Sequence, residues 1–296
     1  MLGTASAMPV ADRNQSAQAL QVRGRLFLMD AGEGVQSQLV KFHVPMMKLE
    51  AIFISHVHGD HIYGLSGLLS TFGMGGRMVP LHIYGPGNLK PFITFFLSYN
   101  DWLPYEIVFH PVNTRFPEVV METKSVEVVA FPLLHGIETY GYIFREKEPP
   151  WNVRKECIGQ YGLTLTEIGT LKRGEDVHRP DGTVISLAEA AYKPYSSRSY
   201  AYVSDTAVFP GEAEVLRGTT VIYHETTFLA EHGDKAAARY HSTTLQAARV
   251  AADAGASRLL IGHYSSRNTD ARLYEAECRS VFPETYAASD GDVFEI

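Results

Sequence analysis

The tightest constraint on this chain is the run Ile52-Phe53-Ile54-Ser55-His56-Val57-His58-Gly59-Asp60-His61, an apolar β-type segment that ends abruptly in three histidines and an aspartate. Residues two apart share a face of extended chain, so His56 and His58 turn to one side. Gly59 then lets the backbone bend and present Asp60 and His61 as a second set. Four first-row metal ligands packed this closely need a rigid support, and the end of a strand supplies one. The arrangement recurs in looser form. Residues 126–134 precede His135, 200–204 precede Asp205, 219–223 precede His224-Glu225, and 258–262 precede His263. A lone histidine after a strand is ordinarily a cap or a satisfied core residue. Several in one chain, beside HxHxDH, describe ligands gathered at one edge of a sheet.

Composition narrows the metal chemistry. Twelve histidines but only two cysteines, Cys157 and Cys278, occur in 296 residues, so a disulfide framework and a thiolate zinc cluster are both excluded. Any metal must be held by histidine and carboxylate. The ligand-type residues at strand ends number seven: His56, His58, Asp60, His61, His135, Asp205 and His263. One zinc takes three or four, so seven fit two ions that share a bridging carboxylate and water. Histidine-rich, thiolate-free ligation suits Zn²⁺, with Mn²⁺ and Fe²⁺ left open by ligand type.

With 26 Lys+Arg against 33 Asp+Glu and a formal net charge of -7, the surface as a whole is no polycation, so a nucleic-acid partner must be met by a local basic patch. No run reaches the ~18 apolar residues of a membrane span. The start, MLGTASAMPVADRNQ, has neither a basic n-region nor an apolar h-region. The expectation is a cytoplasmic protein without a membrane partner.

Short β-rich runs at 25–29, 51–55, 81–84, 126–131, 199–204, 219–223 and 258–262 alternate with helical patterns at 35–42, 90–99, 243–254 and 270–280. That mixture predicts an α/β layered fold, helices covering sheets. Residues 146–181 break the pattern: Pro149, Pro150, Gly159, Gly162, Gly169, Gly174 and Pro180 interrupt every candidate element. A connection this long is expected to be a functional excursion or a disordered linker. Arg154, Lys155, Lys172, Arg173 and Arg179 supply it with a source of phosphate-directed charge.

HVHGDH after a strand, followed in order by His, Asp and His, resembles the metallo-β-lactamase fold. Within that superfamily the chain resembles the ribonuclease Z family through LGTASAMP with Arg13-Asn14, FLMDAGEGVQSQL, IFISHVHGDHIYGLSGLLST, LHIYGPGNLK, FPLLHGIETYGY, YVSDT, HETTF, HSTTLQAA and LLIGHYSSR. The HETTF and HSTT elements and the GLSGLLST continuation are the family-specific part. The resemblance implies an αββα sandwich of two mixed sheets flanked by helices. It further implies one domain over 1–296, with a protruding flexible tRNA-binding arm inserted at 146–181.

The activity implied is a zinc-dependent endoribonuclease that cleaves the 3′ trailer from precursor tRNA, leaving a 3′-hydroxyl on the tRNA and a 5′-phosphate on the trailer. Two Zn²⁺ per chain and a homodimer are implied with it. Carried over by position, His56, His58 and His135 hold one zinc, Asp60, His61 and His263 the other, and Asp205 bridges them. Asp60 also orients the attacking hydroxide, His241 of HSTT donates the proton, and Glu225 of HETTF steadies it. His241 also reads as an N-cap-region residue, because Ser242-Thr243 opens the Leu245, Ala248, Ala252 stripe. Glu225 could equally fix a histidine tautomer.

Two departures from the family pattern stand out. Relatives carry several more residues of first strand ahead of LGT, so the chain is expected to begin late, truncated or started at an internal methionine. The Gly-Pro element of the family's arm is absent, with TLTEIGTLK (164–172) in its place. Two other readings compete with the nuclease. One is another hydrolase on this fold, such as a small-molecule phosphodiesterase, an arylsulfatase-like esterase or a lactonase. The other is a metal-bearing RNA-binding or scaffold subunit without catalysis. The HSTT/HETTF pair and the complete ligand set favour the nuclease.

Overall fold

The computed structural model describes residues 1–268 and 270–296. A hairpin begins the first sheet: β1 (Gln18–Val22) pairs antiparallel with β2 (Arg25–Met29). Its two turn residues, Arg23 and Gly24, both take positive φ, the backbone twist that matches a tight hairpin. Next come α1 (Val35–Lys41), β3 (Leu49–Phe53), α2 (Gly59–Ile62), α3 (Leu65–Met74), β4 (Leu81–Pro86), α4 (Lys90–Ser98) and β5 (Ile107–Val112). The sheet order is β1-β2-β3-β4-β5, parallel from β2 onward.

Period-two alternation divides this sheet's side chains between two cores. Ile52, Ile54, Leu81 and Ile83 face one way and pack with Leu39 of α1 and Leu68 and Phe72 of α3. Ala51, Phe53 and Tyr84 face the other.

The second sheet starts with β6 (Glu118–Glu122), β7 (Val126–Pro132) and β8 (Tyr140–Glu146). The chain then makes its excursion through β9 (Asn152–Val153), α5 (Lys155–Tyr161), α6 (Leu165–Lys172), β10 (Val177–His178), β11 (Val184–Ile185), α7 (Leu187–Ala190) and β12 (Ala191–Tyr192). It resumes with β13 (Ser199–Val203), α8 (Glu212–Val215), β14 (Val221–Glu225), α9 (Gly233–Ala238), α10 (Thr244–Ala254), β15 (Arg258–Gly262), α11 (Ala271–Arg279) and β16 (Thr285–Ala287). The strand order is β16-β15-β14-β13-β8-β7-β6, with β13 to β16 parallel and β13/β8 and β6/β7 antiparallel.

Both sheets are therefore mixed, and their inner faces meet. Phe27, Met29 and Phe53 pack against Val128, Tyr142, Phe144 and Tyr202. On its outer face the second sheet buries Phe131, Val203, Ile222 and Ile261 under Ala248 and Ala251 of α10 and Tyr274 and Cys278 of α11. Helix, sheet, sheet, helix is the αββα sandwich of the metallo-β-lactamase fold. Among the described residues no helix is long and apolar enough to cross a membrane.

Two compact units result: Met1–Arg145 with Ser199–Ile296, and Glu146–Arg198. The second has a small core of its own, Cys157, Leu163, Leu171, Val177, Ile185 and Ala190. Weak periodicity predicts an irregular stretch at 146–181, whereas the structure has helices there and the folded unit runs on to Arg198. The helices are seven and eight residues long, too short for an apolar stripe to repeat. Gly162, with φ 57°, terminates α5 instead of disrupting it, and α6 opens on a capping box between Thr164 and Glu167.

Candidate metal centre

Four strands of the sandwich deliver the seven ligand-type residues from their C-terminal ends. β3 runs into His56 through His61, β7 into His135, β13 into Asp205, and β15 into His263. Helix α2 begins inside the motif, at Gly59, and its first turn carries Asp60 and His61 back toward the strand ends.

Two groups form, one on each side of Asp205. His56, His58 and His135 lie together, with His56 Nε2 to His58 Nδ1 at 2.9 Å and His135 Nε2 to His58 Nδ1 at 3.3 Å. Asp60, His61 and His263 make the other, each histidine Nε2 standing 3.4 to 3.5 Å from Asp60 Oδ2. The Asp205 carboxylate divides its oxygens between them. Oδ2 is 3.7 Å from His56 Nε2 and 3.9 Å from His135 Nε2, while Oδ1 is 3.5 Å from His61 Nε2 and 3.2 Å from His263 Nε2.

His61 Nε2, His263 Nε2 and Asp205 Oδ1 are buried without a hydrogen-bond partner. Buried polar atoms left in that state are costly unless something else binds them, and lone pairs converging from imidazole and carboxylate suit a cation. The electrostatics agree. Burial opposes charge on His61, yet Asp60, Asp205 and Asp30 raise its pKa well above the ordinary value, so the pocket favours positive charge. His56 is pushed the other way, by burial and then by the neighbouring histidines, and stays neutral as a ligand must. Burial also works against the Asp60 anion, but His61 and His263 hold its carboxyl well below the usual range.

A second layer of hydrogen bonds sets the tautomers. Buried Asp30, placed by a positive φ at the end of β2, accepts from His61 Nδ1 (2.7 Å), Tyr202 Oη (2.6 Å), and Ser55 N and Oγ (2.7 and 2.8 Å). Ser55 Oγ in turn accepts from His56 Nδ1 at 2.9 Å. His135 Nδ1 donates to the Tyr240 carbonyl at 3.0 Å, and His263 Nδ1 to Thr227 Oγ1 at 2.8 Å. In His56, His61, His135 and His263 the Nε2 lone pair is thereby directed at the cluster. The strand-end signature that marks the ligands is present at Asp30 as well, since it directly follows β2. Sequence reasoning misses Asp30 despite that signal, takes Thr227 only as part of HETTF without a role, and finds nothing that singles out Tyr240.

Glu225, the last residue of β14, is fully buried and serves as a hub. It accepts from His241 Nδ1 (2.9 Å), Ser242 N (2.9 Å), Thr206 N (3.2 Å), and Thr227 N and Oγ1 (2.8 and 2.7 Å). Burial opposes charge on both members of the pair, but attraction wins: His241 is raised to about 9 and Glu225 lowered to about 2. His241 stands at the cluster's margin, its ring centroid 5.2 Å from that of His135 and 5.6 Å from that of His263. His224, adjacent to Glu225 in sequence, turns away and bonds Glu212 at 2.9 Å.

The five basic residues singled out in the excursion are deployed unequally. Lys155, Lys172 and Arg173 are exposed, Arg173 standing 3.4 Å from Glu175. Arg154 is exposed over the Tyr192 ring. Arg179 is engaged within the unit, donating to Glu167 (2.7 Å) and to the Tyr161 carbonyl (2.8 Å).

Fold and site together define a metal-dependent hydrolase of the metallo-β-lactamase fold. Ribonuclease Z of Bacteroides fragilis (strain YCH46) is 38% identical over 291 residues, covering 98% of this chain and 96% of its own. Ribonuclease Z of Cytophaga hutchinsonii is 39% identical over 296 residues, covering 99% and 94%. The chain belongs to the ribonuclease Z family. Among solved structures, the short form of human tRNase Z matches with a TM-score of 0.71 at 25% identity, over 99% of this chain and 97% of that one. The metallo-β-lactamase fold protein YhfI from Bacillus subtilis shares the fold, with a TM-score of 0.70 at 19% identity over 99% and 96%. A family profile described as Anti-Pycsar protein Apyc1 matches residues 1–90.

Proposed function

We propose that this chain is a zinc-dependent endoribonuclease that removes the 3′ trailer from precursor tRNA. The observation that carries the reading is Asp205, with one carboxylate oxygen toward each of two histidine groups, beside an acid of the right kind in His241. His56, His58 and His135 would hold one ion, Asp60, His61 and His263 the other, and Asp205 both. When bound, two zinc ions supply positive charge for the phosphate oxygens and acidify the attacking water.

The chain's own residues do the rest. Asp60, whose carboxylate stands beside His61 and His263, would orient that water. As the P–O3′ bond breaks, O3′ needs a proton, and His241 has one to give: Glu225 holds its Nδ1–H, which leaves Nε2–H as the donor. Glu225 also keeps the imidazolium charged, and Thr227 ties the pair to His263. The products are a tRNA 3′-hydroxyl and a trailer 5′-phosphate. The exposed cations Arg154, Lys155, Lys172 and Arg173 of the excursion would meet tRNA phosphates. Family resemblance supports a homodimer and a cytoplasmic setting, and sizing by light scattering tests the former.

Purified protein incubated with 3′-extended precursor tRNA, beside bis(p-nitrophenyl) phosphate, tests the reading. Trailer release is the expected result. Dye release without precursor cleavage would replace the nuclease by a small-molecule phosphodiesterase, and RNA binding without turnover by a scaffold.

A further inference from the structure

Two tyrosines whose side chains take no part in the chemistry above lie against the ligand loops with their rings exposed. Tyr63 is 65% exposed, and a methyl group at Gly59, between His58 and Asp60, would collide with its ring. Tyr240 is 45% exposed, and a methyl group at Gly136, the residue after His135, would lie within van der Waals reach of its ring. His58 and His135 touch each other, so each tyrosine borders one half of the same contact.

Tyr240 also holds φ at 56°, a left-handed conformation that a bulky residue adopts only when its surroundings require it. In that conformation its carbonyl accepts the His135 Nδ1–H while its ring stays at the surface. Burying neither ring in a core forgoes the apolar contact that ordinarily stabilises a tyrosine. A chain whose phosphate sits at the cluster necessarily carries bases on both sides of it, and every base has a face that stacks on an aromatic ring.

We propose that Tyr63 and Tyr240 are stacking platforms for the nucleobases that flank the scissile phosphate, an inference that rests on the precursor-tRNA reading. They act on substrate position, beside the residues that hold metal and move the proton.

The test places 2-aminopurine on either side of the cleaved bond of a precursor tRNA. Fluorescence is followed on mixing, before turnover, and KM and kcat are then measured for Tyr63→Ala, Tyr240→Ala and the corresponding Phe variants. In the wild type both positions are expected to be quenched. Each Ala variant should lose the quench at one of them and raise KM roughly 5- to 150-fold, with a smaller change in kcat. Phe variants should restore both readouts. Metal content, measured in parallel, separates loss of a platform from disruption of the loop beneath it, and Leu variants serve in place of any Ala variant that loses metal. Quenching that survives in the Ala variants, or a KM within twofold of wild type, overturns the platforms alone. Failure of the wild type to bind precursor at all overturns the platforms together with the function they rest on.

Discussion

The sandwich and the Glu146–Arg198 unit treat charged side chains in opposite ways. At the metal centre Asp30 and Glu225 are buried, and each accepts several hydrogen bonds that fix neighbouring rings. Every donor there has one allowed direction. In the second unit Glu146 is buried against Arg198, but most charges lie at the surface, in pairs such as Arg173–Glu175 and Lys193–Glu148, above a core of six buried residues. Exposed pairs of this kind contribute little to stability and are screened by salt. The sandwich fixes geometry, and on the proposed function the second unit supplies adjustable attraction. Damage to the first should appear as lost chemistry, and damage to the second as altered substrate affinity.

The strongest challenge to that division is Asp205→Ala. It should reduce bound zinc from about two equivalents to one or fewer and take precursor cleavage below detection. Elemental analysis of the wild type decides the premise, since a stoichiometry near one with full activity would remove the shared role of Asp205. Next is the replacement of residues 146–198 by a Gly/Ser linker, which should abolish precursor cleavage yet preserve zinc content and bis(p-nitrophenyl) phosphate hydrolysis. Wild-type processing by that variant would mean the unit makes no contribution to tRNA capture.

His241→Ala should lower kcat by roughly 10²- to 10⁴-fold with metal content unchanged; metal loss matching that of Asp205→Ala would make His241 a ligand instead. Asp30→Asn leaves the ligands in place and alters what His61 Nδ1, Ser55 and Tyr202 Oη bond to. Zinc affinity should weaken by about 10- to 100-fold, read by competition with a chelating dye. Because histidine must be neutral to bind metal, affinity should also fall as pH is lowered. The smallest effect expected is from Lys172→Ala with Arg173→Ala. Precursor binding should weaken severalfold, and the slope of log K against log salt should shrink by about one for each phosphate that is no longer neutralised. An unchanged slope would move the RNA-binding surface elsewhere.

Much of the site is legible in the sequence. A strand that ends in HVHGDH can present those groups only at a sheet edge, and the later strands that end in His135, Asp205 and His263 repeat the signal with the same period-two logic. Strands β2, β4, β7, β13, β14 and β15 and helices α1, α4, α10 and α11 fall where the apolar patterns put them, within a few residues. Among the strands that escape notice are two with interrupted patterns. β8 carries Gly141, over which the Phe131 ring packs so closely that no side chain fits, and edge strand β5 has largely half-buried side chains and no clean alternation. In the 146–198 stretch, glycines that read as breakers are a helix cap and tolerated helix positions.

Sequence alone specifies the kind of atom at the site: histidine and carboxylate without thiolate, enough for two ions, with a histidine and a glutamate in reserve. Local pattern carries this because strand ends are rigid and side-chain direction follows from position along the strand. Tertiary packing, and nothing short of it, selects which oxygen of Asp205 faces which group. It also brings Asp30 from β2 to His61, pairs Glu225 with His241 while His224 turns to Glu212, and ties Arg179 to Glu167. Those contacts join residues far apart in sequence through hydrogen bonds with an ångström's tolerance. Spacing along a chain carries no information about which distant donor arrives within that distance; packing supplies it, in the sandwich for the metal centre and within the second unit for Arg179.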